Sequence, residues 1–391
     1  MSLRKKLTYA SKVLPGASWR ALATAPRGSM HLMIALADHF EPAIDPESGR
    51  TRVPRPEQER RLEWWSREYP KVVDPWRDHD GRPLMHTYFY PAEQYDAGLL
   101  EMLADHCHQG WGEIEIHLHH GWDQPDTAEN THRVVTEFRD RLAFRHRCLS
   151  FESGSSQPCY SFVHGDFALA NSSGGHACGV DSEMKILAET GCYADFTLPT
   201  GPLHPAQTAK INSVYECALP LEHAAPHRRG TDLEVGRVPQ IFPLIVQGPL
   251  VTNFAGSFQS KKLLLETGAI TGPNPPSLHR LSLWKQARVQ VHGRPDWLFL
   301  KLHCHSMDPT QKNAVIGASF RKFLQELVAG ARERKETLHF VTAREMTNII
   351  LAACEGREGS PGQYREHRFK RALDVPGAQG QRTSTPVGVK G

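Results

Sequence analysis

Seven residues, Glu113-Ile114-Glu115-Ile116-His117-Leu118-His119, alternate strictly between ionisable and apolar side chains. In a β-strand that alternation puts Glu113, Glu115, His117 and His119 on one face and the aliphatic residues on the other. A strand of this kind folds into a core only if its acids and imidazoles find partners or a metal, because an unpaired buried charge is costly. His120 and Asp123 follow directly. Neutral imidazole is the commonest metal ligand, and residues two apart on a strand sit on the same side. The segment therefore reads as a metal or catalytic motif at a strand end.

The rest of the chain supplies neighbours for that strand. Apolar, β-branched or aromatic runs at 31–37, 83–90, 113–119, 159–164, 194–198, 241–247, 297–303 and 338–341 read as strands. Helical patterns at 56–69, 95–108 and 127–145 fall between the early ones, and Thr342 with Glu345 has capping-box spacing for a further helix. Strands alternating with helices predict a parallel sheet, closed or nearly closed into a barrel. Residues 1–30 are basic with scattered apolar positions, an arm or surface helix without the continuous apolar stretch of a secretory signal. Residues 31–355 make the main domain, with long loops at 221–236 and 272–276 that suit the walls of a substrate groove. From 356 to 391 Gly, Pro, Ser and charged residues predict a flexible tail, disordered over 376–391.

Composition narrows the function classes. Of 391 residues 39% are hydrophobic, enough for a sizeable core, and a net charge of +3 with interspersed signs advertises no nucleic-acid surface. No apolar run is long enough for a transmembrane helix. The 8 cysteines form no CxxC pair, which argues against a zinc ribbon and for a reducing, cytoplasmic setting.

In parallel β/α folds, functional residues gather at the C-terminal ends of strands. Here those ends carry Asp38-His39, His117 to His120 with Asp123, His164-Gly165-Asp166, Asp195, and His303-Cys304-His305. Tyr88, Tyr90, Trp122 and Phe167 are aromatic candidates for stacking on sugar faces.

In this order the motifs resemble those of the polysaccharide deacetylases, metal-dependent N- or O-deacetylases of carbohydrates. Asp38-His39 stands where the family has paired aspartates, and His86-Thr87-Tyr88-Phe89 resembles its second strand. Glu113 to His119 resembles the metal-binding third strand, and Leu300-Lys301-Leu302-His303 resembles the last motif, which ends in a catalytic histidine. The resemblance runs in order over roughly residues 31–310. Phe162 to Asp166, Gly191 to Thr197 and Lys301 to His305 are similar to phrases in deacetylase-like proteins of bacterial exopolysaccharide clusters.

The resemblance implies an irregular (β/α) barrel with long loop insertions, a divalent metal with zinc the expected ion, and a carbohydrate substrate. It implies a metal set of His39, His117, His119 and Asp123, with His117 either a ligand or a support. Asp38 would be the general base or itself a ligand, exchanging roles with His39. His303 or His305 would protonate the leaving group. His164, Asp166, Asp195 and Trp122 would meet the substrate. A rival reading is a carbohydrate-binding or assembly protein that keeps the barrel without efficient hydrolysis. A two-metal phosphoesterase would need more aspartate ligands.

Overall fold

The computed structural model describes residues 3–22, 29–47, 53–261, 263–311 and 313–374. The first strands are β1 (Met30–His39), β2 (His86–Pro91), β3 (Gly112–Leu118), β4 (Ser150–Glu152), β5 (Pro158–His164), β6 (Cys192–Asp195) and β7 (Ser213–Cys217). They are followed by β8 (Gly230–Asp232), β9 (Leu244–Gln247), β10 (Val251–Thr252), β11 (Leu265–Glu266), β12 (Trp297–Cys304), β13 (Glu336–Phe340) and β14 (Phe369–Arg371). The helices are α1 (Leu3–Leu22), α2 (Arg55–Val73), α3 (Ala97–His106), α4 (Ala128–Asp140), α5 (Glu183–Glu189), α6 (Phe254–Ser260), α7 (Leu278–Ala287), α8 (Ala318–Ala329) and α9 (Ala343–Cys354).

Twelve strands form one mixed, mostly parallel sheet in the order β12-β1-β2-β3-β5-β6-β9-β7-β8, with β13 beside the first half of β1 and the antiparallel pair β4 and β14 attached through β5. Each of the eight expected strands corresponds to a parallel member of this sheet. The order does not close on itself among the described residues. The sheet is nevertheless strongly curled. Lys301 on β12 donates to the Phe196 carbonyl (2.8 Å) and to that of Leu198, both just past β6. Tyr193 on β6 donates to Glu115 on β3 (2.5 Å).

Both faces of the sheet are covered, which is why β1 reads as a nearly continuous apolar run. Leu32, Ile34 and Leu36 point outward into a core shared with Trp65 and Tyr69 of α2 and Leu99 and Leu103 of α3. Met33, Ala35 and Ala37 point inward with Val163, Tyr193 and Phe299. Helix starts follow local sequence: Asp96 caps α3, Thr127 caps α4, and Thr342 with Glu345 makes the expected capping box of α9. All eight cysteines are free and buried.

The inner face also carries charge. Glu113, half-buried, pairs with the buried Arg344 of α9 (2.7 Å); the guanidinium outweighs desolvation and holds the Glu113 carboxyl below its usual range. Arg344 also reaches Glu366 (2.8 Å), so the region expected to be a loose tail is structured through residue 374. Its Arg365 is buried against Asp78 (2.9 Å), Asp80 (2.8 Å) and Glu345 (3.0 Å), and β14 pairs with β4. The physical reason is that these arginines neutralise buried carboxylates of the main domain, so the charged composition that suggested disorder serves ion pairing instead. Residues 376–391 lie outside the described residues. The amino-terminal arm is the helix α1, with Val13 and Ala17 buried and Ser18 bonded to Thr252 (3.0 Å).

Candidate metal centre

His117 lies on the inner face near the C-terminal end of β3. Its Nδ1 is 2.7 Å from the Val163 carbonyl, which can only accept, so the ring proton sits on Nδ1. The lone pair of Nε2 then points into the mouth of the sheet, where that buried atom has no hydrogen-bond partner. His119, one residue past the strand, is fixed in the same way: its Nδ1 is 2.9 Å from Oε1 of Glu93, in the turn after β2. Glu41, two residues past β1, completes the group. Its Oε1 lies 3.1 Å from His119 Nε2 and 3.7 Å from His117 Nε2.

An ion with bonds near 2.0–2.1 Å holds tetrahedral ligands about 3.3 Å apart, so these separations suit one divalent cation. Two imidazoles whose far nitrogens are tied to a carbonyl and a carboxylate are oriented as metal-bound histidines are. Glu41, His117 and His119 are one of three buried or half-buried groups in the described residues that could hold a metal.

The electrostatics agree with the geometry. Burial alone would push the Glu41 carboxyl up, but the neighbouring imidazoles of His117 and His119 hold it well below the usual carboxylate range. Burial also opposes charge on His119, yet Glu41 and Glu93 outweigh it and raise the ring well above its ordinary value. The cluster thus favours positive charge between Glu41 and Glu93.

His39 packs beside this group, its ring centroid 4.9 Å from that of His117, edge to face, and 4.5 Å from that of His305. Burial, then the neighbouring rings of His305 and His117, depress it well below its ordinary value, leaving a neutral imidazole. Phe167 covers the same space, 6.1 Å from His39 and 6.4 Å from His303. His303 is itself pushed down to about 3, by burial and then by Lys301 and His305. Asp166, exposed at this mouth, feels His119, Glu41 and His117; partial burial raises its carboxyl.

Compared with models of known families and with curated proteins, the chain matches none.

The structure thus gathers His39, His117, His119, Asp166, His303 and His305, with Trp122 at the rim, and separates four other candidates from them. Asp38 faces the other side of β1, the consequence of strand alternation. Its carboxylate is fully buried and occupied by the Ser306 amide (2.9 Å), the Ser306 hydroxyl and His86 (3.0 Å). It braces the loop that carries His305 and, with His86 and Cys304, belongs to a different metal-competent group from that of Glu41, His117 and His119. Asp123 is exposed and belongs to none of the three metal-competent groups; the chain turns at Gly121, with positive φ, and carries it away. His164 lies on the outward side of β5, buried against His120 and Glu183. Asp195 sits deep inside, fully buried, accepting from the Thr197 amide and hydroxyl (3.2 and 2.7 Å). Burial raises its carboxyl to about 7 and lowers the nearby Lys301 to about 7. Neither His164 nor Asp195 can meet a substrate. Tyr88 and Tyr90 are likewise buried in the outer core.

Glu41 and Glu93 are the residues that sequence reasoning missed. Both lie just past strand ends rather than on strands. The signal for Glu41 was its position two residues after His39, which returns its side chain to the inner side.

Proposed function

We propose that the chain is a metal-dependent hydrolase that removes N- or O-linked acetyl groups from an oligosaccharide or polysaccharide, on an irregular (β/α) barrel. The observation that carries this reading is the convergence of His117 Nε2, His119 Nε2 and Glu41 Oε1, with both far ring nitrogens committed elsewhere. The parallel sheet, its curl and the location of this group at the C-terminal strand ends support the barrel.

Glu41, His117 and His119 would hold a divalent ion such as zinc, which would supply Lewis-acid chemistry toward water and an acyl carbonyl. Asp166 takes the place first expected for Asp38: it is an exposed carboxylate within the field of His117 and His119, suited to accept a proton. His305 is the group for protonating the departing amine or alcohol, since His303 is held neutral by its depressed pKa. Phe167 and Trp122 offer apolar faces at the mouth for a sugar ring.

The test is metal content together with acetate release from acetylated oligosaccharides. About one equivalent of zinc at this site, lost in His119→Ala, with acetate released by the zinc-loaded wild type, is the expected result. Full zinc occupancy without turnover on a broad panel of acetylated glycans would favour a carbohydrate-binding protein. The commitment of Asp38 to Ser306 and His86 is the observation on that side.

A further inference from the structure

A second histidine pair repeats the construction of the first. His120 follows β3, and its Nδ1 is 2.6 Å from Oδ2 of Asp126. That carboxylate is itself held by Thr131 (3.0 Å), and its other oxygen by Asn130 (2.7 Å). His164 ends β5, with its Nδ1 2.5 Å from the Gly165 carbonyl. Both far nitrogens are thus tied to acceptors, and each carries a ring proton. The two Nε2 atoms then face each other at 3.0 Å, and Glu183 Oε1 lies 3.1 Å from one and 3.4 Å from the other.

Three atoms able to act as ligands lie at the corners of a triangle whose sides are close to the tetrahedral spacing of about 3.3 Å, which suits one cation between them. One shared proton can lie on only one line of that triangle. The side chains of His164 and Glu183 are all but inaccessible and that of His120 is 7% exposed, so bulk water does not supply the missing partners. A cleft lined by Asp126, Asn171, Cys178 and Asp181 lies alongside, and Asp126 is shared between it and the group.

We infer that His120, His164 and Glu183 form a second divalent-cation site, of the zinc class, on the outward side of the sheet. It joins three segments: the turn after β3, the end of β5 and the first turn of α5. Between His164 and Glu183 runs the loop that carries Asp166 and Phe167 over the first centre. The ion is therefore structural, pinning that loop, and its existence does not rest on the deacetylase reading.

Zinc per chain, measured by elemental analysis after loading the full-length protein and removing loose metal, tests it. The expected content is two equivalents in the wild type and one each in Glu183→Gln, His120→Asn and His119→Ala. Should Glu183→Gln not fold, His120→Asn, at the edge of the cluster, decides. In cobalt-loaded protein the visible absorption should fall by about half in the same variants. One equivalent that survives Glu183→Gln and His120→Asn but vanishes in His119→Ala overturns the second site and leaves the first. One equivalent with the reverse dependence keeps the second and removes the first. A wild type without zinc overturns both.

Discussion

At the scale of single residues, what matters is which ring nitrogen holds the proton. Val163 settles it for His117, and Glu93 holds the Nδ1 proton of His119. Removing such a support typically costs 10–100-fold in metal affinity, and Glu93→Gln should weaken zinc binding by about that factor in a competition titration with a chromophoric chelator. Asp166→Asn should keep full zinc and lose acetate release. Asp38→Asn should also keep zinc, but it weakens the acceptor of the Ser306 amide and hydroxyl, so unfolding in urea should report a loss of about 1–3 kcal/mol. If Asp38→Asn lost zinc in a folded protein, the assignment of Asp38 to the opposite face would be wrong. Of these residues His117 and His119 were legible from alternation alone. Asp38 and His39 looked equivalent because adjacent letters hide the fact that a strand sends them to opposite sides. Asp123 was attractive on spacing, but spacing holds along a strand and Gly121 ends it.

At the scale of elements, the parallel strands were legible because burial on both faces demands apolar runs, and α9 was legible from its cap. The antiparallel additions β4, β7, β8 and β14 were not, being short and set at the margins of the sheet. Helix α8 could have been read from Phe320, Phe323, Leu324 and Leu327, which share one buried face. Helix α3 makes a testable point. Burial, and then His86, lower the ring of its His106 to about 4, while Tyr88 Oη lies 3.0 Å from Nε2. In the unfolded chain the same ring titrates near 6.5. Between those values the unfolded state binds the extra proton, so stability falls as pH drops through the window and is flat above it. The full shift corresponds to about 3 kcal/mol. His106→Gln should flatten this acid limb in urea unfolding measured at several pH values; an unchanged limb would remove His106 as its source.

At the scale of the whole molecule, the carboxy-terminal segment up to residue 374 acts as a buckle. Arg365 is the shared partner of Asp78, Asp80 and Glu345. Replacing it with Met strands buried carboxylates, and breaking a buried pair in this way costs about 3–5 kcal/mol. A chain ended at residue 355 should lose at least as much, seen as a lower midpoint in thermal unfolding. Composition hid this because an arginine in a Gly- and Ser-rich stretch looks solvated until its carboxylates are found elsewhere in the chain. The eight buried free thiols have a use of their own. Burial also raises the thiol pKa, as for Cys148 and Cys192, so native cysteines are shielded from alkylation both by access and by protonation. With Cys107 and Cys148 in the outer core and Cys159 and Cys354 in the inner one, the rate at which each reacts with iodoacetamide times the opening of its own layer, and the protein comes supplied with reporters of its local unfolding.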